Sequence, residues 1–237
     1  MRNHIVKSYE NSKEEDRLTT NNARKIEFLT TTRIFDELFT NNLKILDCAA
    51  GTGTYAFHLA DRGHEVTATD ITPMHIDIIK QKLKFKNYYM NTSILDAIDM
   101  HIFEDESFDV VLNMGPFYHL ITEEQRKQCL FESLRVLKKG GILAVAYIPR
   151  YYVFQYVALS DRKYLDISLA EQLINTGVLT HDDPNCFWTD TYYSTPDEME
   201  ALFKKSKLEV TEHFAQDGIS PFLKDKVDTL DTKEFKI

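Results

Sequence analysis

The 237-residue chain reads as one α/β domain built on a doubly wound, mostly parallel sheet. Three observations predict this. Apolar runs at 44–47, 65–70, 108–113 and 142–147 alternate with segments of helical spacing, the rhythm of strand–helix–strand units. The first run enters a small-residue turn, Cys48-Ala49-Ala50-Gly51-Thr52-Gly53, of the kind that lets backbone approach a nucleotide. The second run ends in Asp70, 19 residues after Gly51, where nucleotide-binding folds place a ribose-binding carboxylate.

Composition sets the outer limits. With 43% hydrophobic residues the chain has material for a core, and 27% charged residues is ordinary for a soluble protein. A net charge of −9 argues against a broad nucleic-acid face, and no long Lys/Arg cluster offers a local one. No run approaches 18 apolar residues, so no membrane span is expected. The first seven residues lack the apolar core of a secretion signal. Cys48, Cys129 and Cys186 are odd in number and scattered, which fits neither a disulfide framework nor a metal site. The expected setting is the cytoplasm.

Residues 1–21 are polar and read either as a solvated arm or as a flap carrying Tyr9 and Arg17 over a cofactor. Phe28, Phe35, Leu38 and Phe39 recur at helical spacing, which predicts a helix over 22–40 stopped by Asn41-Asn42. Strand one is 44–47, and the helix after its turn runs over about 54–62, with Gly63 as the stop. Strand two is 65–70; Thr72-Pro73 then reads as an N-cap with proline in the first helical position. Strands three and four are 88–92 and 108–113. Thr122-Glu123-Glu124-Gln125 is a capping box opening a helix that ends at Gly140-Gly141, before strand five at 142–147.

Residues 148–194 break the rhythm. Nine aromatics fall here, too many for a polar linker, so one or two helices over the C-terminal edge of the sheet are expected. Thr195–Glu198 is a second capping box, opening a helix to about Lys205, and 208–214 reads as strand six. The expected division of the single domain is an arm and helix at 1–40, a cofactor core at 41–147, a lid at 148–194, and a helix, strand and tail at 195–237.

Gly51-x-Gly53-x-x-Ala56 also satisfies a dinucleotide fingerprint, and this alone supports an NAD(P)-dependent oxidoreductase. Asp47 weighs against it. A carboxylate at the strand end would repel a pyrophosphate and attract an ammonium group. The alternative is that Asp47 caps the turn.

Taken together, Asp47-x-Ala49-x-Gly51-x-Gly53, Asp70, Asp96-Ala97 before 103–111, and 134–141 resemble class I S-adenosylmethionine-dependent methyltransferases. Ala49 stands where that family usually has glycine. The resemblance covers residues 44–147 and implies a Rossmann-like fold. It implies that Asp47 attracts the cofactor's amino group and that Gly51 and Gly53 let backbone pass close to it. Asp70 would accept the ribose hydroxyls, with Ile71 packed on the adenine. Asp96, beside Ala97, would accept from the adenine amino group, although it could also simply cap a turn. The Asn113 backbone would lie near the methionine end. That family usually closes its sheet with a strand six–seven hairpin; no seventh strand is legible here, so an incomplete C-terminus and an exposed edge inviting a homodimer are expected.

Beyond strand four, Gly115-Pro116-Phe117-Tyr118-His119-Leu120 resembles a segment of a bacterial small-molecule group of the same family. A small-molecule acceptor follows, with no nucleic acid and no membrane as partner. Histidine as a residue type titrates near neutrality, which makes His119 the candidate base and Tyr118 the second choice. Phe117 and Trp188 are expected to line the acceptor pocket. A non-catalytic S-adenosylmethionine-binding regulatory protein is the remaining alternative. His181-Asp182-Asp183 reads as a solvated loop, and no metal is expected.

Overall fold

The computed structural model describes residues 3–12, 14–40 and 42–235. Asn41, read as part of a helix stop, lies outside the described residues, as do the ends of the arm and tail at 1–2 and 236–237. Five strands form one parallel sheet: β1 (Lys44–Cys48), β2 (Glu65–Asp70), β3 (Asn91–Ile94), β4 (Phe108–Asn113) and β5 (Leu137–Val145). Their spatial order is β3-β2-β1-β4-β5, so the winding reverses between β1 and β4. Helices α3 (Thr54–Asp61), α4 (Pro73–Leu83) and α5 (Glu123–Val136) make the crossovers, and α2 (Asn22–Leu38) precedes β1.

Strands buried on both faces alternate their side chains between two cores. Ile45, Val66, Val110 and Leu112 pack with Phe35, Tyr55, Leu59, Ile76 and Ile79 on one face. Leu46, Val111, Cys129, Leu130 and Val136 fill the other. The capping boxes at Thr122 and Thr195 form, each with its reciprocal pair of hydrogen bonds.

Several boundaries differ from the sequence reading. The third strand begins at Asn91, because its ladder to β2 starts opposite Thr67 and Tyr89 is exposed beyond it. The fifth begins at Leu137, with Gly140-Gly141 inside it. The register jumps there, Phe108 facing Leu137 and Val110 facing Ile142. A Cβ on Gly141 would lie 2.7 Å from the Asp109 carbonyl oxygen, an approach only glycine permits.

Residues 208–214 are not a strand. Lys207, at φ +59, turns the chain out of α8 (Pro196–Lys205), and among the described residues the following run pairs with no ladder. Its Leu208-Glu209-Val210-Thr211 alternation mimics a strand, yet 209–213 are exposed. The two additional strands instead lie in the insertion, as the antiparallel pair β6 (Val178–Leu179) and β7 (Thr191–Tyr192). In the tail, α9 (Lys224–Val227) follows a single turn at Ser220–Leu223, and Asn22 and Ala23 of α2 bond to Val227, Asp228 and Leu230. No seventh strand occurs within 215–235.

The insertion holds α6 (Arg150–Ser160) and α7 (Ile167–Asn175) around a small core of Val153, Val157, Leu169, Leu173, Leu179 and Tyr193. The N-terminal segment is a helix, α1 (Asn3–Glu10), with Ile5 and Val6 buried. Among the described residues no helix is long and apolar enough to cross a membrane.

Candidate functional site

A cleft opens at the carboxyl ends of the strands, beside the point where the winding reverses, the usual ligand position in open parallel sheets. It is partly open to solvent and is lined by the β1 turn, the end of β2, the loop after β4 and the N-terminal segment. The amides of Ala49 and Ala50 both donate to the Thr69 carbonyl, and the Gly51 amide donates to Asp70 Oδ2 at 2.9 Å. Gly51 lines the cleft. Gly53 shapes the turn from outside it: at φ +89, a Cβ there would meet Phe57 and Ile79 at 2.9–3.0 Å.

Ala49 also lines the cleft, at φ +119, a backbone region costly for any residue with a Cβ. Glycine there relieves strain of about 1–3 kcal/mol but gains unfolded-state entropy of roughly 0.5–1 kcal/mol. Ala49→Gly is therefore expected to stabilise the protein by about 1 kcal/mol, read as a higher urea midpoint at unchanged slope.

Electrostatically the cleft is a nest of unpaired polar groups. Asp47 is 1% exposed and its Oδ2 has no hydrogen-bond partner. Burial, and then the neighbouring Asp70 charge, push its carboxyl up to about 7. Thr52 Oγ1, Thr72 Oγ1 and both ring nitrogens of His75 are likewise buried without hydrogen bonds, and all four residues line the cleft. Such groups are costly unless a ligand or water satisfies them. Asp70 accepts from the Thr72 amide at 2.7 Å as well as from Gly51, and His75 Nδ1 lies 3.3 Å from it. Ile71 and Ala97 line the same cleft. Asp96 does not face it: its Oδ1 accepts from the Ile98 amide at 3.2 Å, while its neighbours Leu95 and Ala97 do.

The roof is built by α1. Tyr9 is packed edge-on against His75, His119 and Trp188, with ring centroids 5.5–6.0 Å apart. Its hydroxyl lies 2.8 Å from His119 Nε2. The other nitrogen, Nδ1, lies 2.9 Å from the Asp190 carbonyl oxygen, which can only accept. Neutral His119 therefore carries its proton on Nδ1 and presents the Nε2 lone pair to the Tyr9 hydroxyl and the cleft. Tyr118 lines the cleft too, and burial pushes its phenol up to about 12.

Phe117, expected in the acceptor pocket, instead points into the second core and is 1% exposed. The one-turn helix Pro116–His119 sends successive side chains in different directions, so Phe117 is buried while Tyr118 and His119 face the cleft. Trp188, 41% exposed, covers Tyr9, Tyr118 and His119 from the insertion without lining the cleft itself. Asn113 is buried beneath it, its side-chain amide on Cys129 Sγ and Ser133 Oγ and its carbonyl accepting from Ala146.

Sequence reasoning raised Tyr9 and Arg17 as a flap but missed Glu14, Glu27, His75 and Gln216, which share the lining. Arg17 bonds to Glu14 and Glu27 at 2.7 Å each, locking the segment after α1 to α2. No spacing rule connects residues from four separate elements, so nothing in the sequence marks them.

The chain is similar to several known proteins. Residues 45–141 match a family described as a methyltransferase domain. A glycine/sarcosine N-methyltransferase of Aphanothece halophytica is 33% identical over 103 residues, 42% of this chain and 38% of that protein. A ubiquinone/menaquinone biosynthesis C-methyltransferase of Geotalea daltonii is 30% identical, covering 49% of this chain and 51% of that one. A tRNA 5-carboxymethoxyuridine methyltransferase of Escherichia coli is 27% identical, covering 48% and 44%. The matched stretch thus spans about half or less of these relatives' own length. Among solved structures, a SAM-dependent methyltransferase of Methanosarcina mazei superposes with a TM-score of 0.62 at 21% identity, covering 76% of this chain and 85% of that one. A 1,6-didemethyltoxoflavin-N1-methyltransferase of Burkholderia thailandensis, solved with S-adenosylhomocysteine, gives 0.57 at 16%, covering 86% and 75%. The fold is the Rossmann-like fold of class I methyltransferases. Over residues 45–141 the chain is similar to methyltransferase domains, and the unpaired Asp47 Oδ2 beside a positive-φ glycine turn fits an ammonium group such as that of S-adenosylmethionine.

Proposed function

We propose that this chain transfers a methyl group from S-adenosylmethionine to a small-molecule acceptor. One observation carries the reading: a buried Asp47 carboxylate with an unpartnered Oδ2 opens onto a cleft roofed by the aromatic ring of Tyr9. Asp47 holds the cofactor's ammonium, Asp70 the ribose hydroxyls, and Ile71 and Ala97 the adenine faces. Asp96 serves the adenine edge after a change of rotamer, and Asn113 supports the methionine end from below. The bound cofactor supplies an electrophilic methyl group on sulfur.

Tyr9, Tyr118 and His119 surround the acceptor position, with Trp188 closing its outer side. His119 Nε2 removes the acceptor proton where the acceptor carries one, and Tyr118 orients it; positioning supplies most of the rate. Aromatic walls favour a planar or cationic acceptor. The net charge of −9 disfavours a polynucleotide acceptor. The segment 115–120 supports placement in the bacterial small-molecule group. Residues 41–147 hold the cofactor, while 148–194 and the N-terminal helix act as lids. The unpaired edge of β5 supports a homodimer, to appear as a concentration-dependent species in sedimentation.

The test has two parts. Calorimetric titration should show binding of S-adenosylhomocysteine and not NAD; NAD binding alone would restore the oxidoreductase reading. Incubation with methyl-labelled cofactor and a cell extract split into tRNA and small-molecule fractions should label the latter. Label in tRNA alone, or binding without any transfer, would overturn the acceptor assignment.

A further inference from the structure

We propose that His4, His181 and Asp190 form a binding site for a divalent transition-metal ion, which fastens the N-terminal helix to the insertion. One ligand atom from each of the three residues lies within 4.8 Å of the others. His4 lies on α1, His181 in the loop after β6, and Asp190 just before β7. Residues 177 positions apart in sequence thus meet above the cleft, which no ligand-spacing rule anticipates.

Asp190 is 6% exposed and divides its two oxygens between the histidines. Oδ2 lies 2.7 Å from His4 Nε2, and Oδ1 lies 2.7 Å from His181 Nδ1 while also accepting the His181 amide. The imidazoles stack at 4.3 Å, with their planes 10° apart. His4 Nε2 is buried and, despite that short approach, has no hydrogen bond of acceptable direction. Asp182, exposed, stands 3.5 Å from His181 Nε2.

Two imidazoles and one carboxylate are the donor set of zinc and its first-row neighbours, whereas magnesium and calcium demand oxygen ligands throughout. Bonds of about 2.0–2.2 Å in a tetrahedron place ligand atoms roughly 3.3 Å apart. The cluster brackets that value, so side-chain rotation alone completes the geometry. Water takes the fourth position. The carboxylate is already oriented by the His181 amide, and the Asp190 carbonyl by His119 Nδ1–H, the outer contacts that hold metal ligands in place. Tyr9 follows His4 by five residues on the same helix, so an ion here holds the roof shut over the cleft. The metal-binding argument does not depend on the methyl-transfer reading.

The untagged full-length chain, titrated calorimetrically with zinc chloride in a non-coordinating buffer, should bind one ion. His4→Ala and His181→Ala should each weaken binding at least tenfold while melting like the wild type; His181, half-exposed, tolerates the change with the fold intact. Zinc should also slow tryptic cleavage after Lys7, an exposed residue of α1. Absence of saturable binding, wild-type affinity in both variants, or cleavage unaffected by zinc would each overturn the proposal.

Discussion

Asparagine in place of Asp47 is expected to weaken S-adenosylhomocysteine binding about 100-fold or more while stabilising the unliganded protein at pH 8. Removing one partner of a buried ion pair costs about 3–5 kcal/mol, because the other charge is left uncompensated. Without ligand the sign reverses. Burial and Asp70 raise the Asp47 carboxyl from 3.8 to about 7, so the folded state holds this proton to higher pH than the unfolded chain does. The resulting destabilisation is absent below about pH 4, grows as pH rises through 7, and reaches on the order of 4 kcal/mol above it. Asparagine carries no charge to bury and escapes that cost. Urea melts at pH 5 and pH 8 test this: the variant's advantage should widen toward pH 8. A variant no more stable than wild type at pH 8 would show the Asp47 charge to be already compensated within the fold.

The same group sets the pH dependence of cofactor binding. An ammonium group pairs with the ionised carboxylate, so affinity is flat above about 7 and falls about tenfold per unit below it. Calorimetry between pH 5.5 and 8.5 reads this directly, and a profile without a break near 7 would separate Asp47 from the ligand.

How much of this was legible beforehand follows the range of the forces involved. The apolar strand runs, both capping boxes and the glycine turn are patterns within a few residues, and the sequence displays them. Asp47 and Asp70 were legible as neighbours in one cleft because strand ends and nucleotide-binding turns recur at constant spacing, whereas Asp96 lies outside its lining. Phe117 failed because a single turn rotates side chains by about 120° per residue, which no pattern in six residues reveals. Residues 208–214 failed because alternation is necessary for a half-buried strand and insufficient without a partner edge. The roof was legible only as an alternative. Tyr9 reaches His119 across 110 residues, and His4 reaches Asp190 across a longer interval, through tertiary packing alone.

Asp70→Ala is expected to abolish measurable cofactor binding and to lower stability by about 2–4 kcal/mol. Two amides, Gly51 at 2.9 Å and Thr72 at 2.7 Å, donate to this carboxylate, and each loses its acceptor in the variant. A buried donor left unpaired costs about 1–3 kcal/mol. Against this, deleting the Asp70 charge relieves Asp47, whose carboxyl then moves back down. The net loss should accordingly be larger at pH 5, where Asp47 is protonated and has no repulsion to relieve, than at pH 8. Asp70→Asn separates structure from binding. The amide oxygen keeps one acceptor for the turn, so stability falls less, while the ribose loses a charged acceptor and affinity still drops. Its residual binding should break at a pH below 7, since Asp47 ionises more readily without its neighbour. Wild-type affinity in a folded Asp70→Asn would make Asp70 a turn residue only. The Asp47→Asn/Asp70→Asn pair should be non-additive in stability at pH 8, because each single change already removes the one repulsion the two carboxylates share.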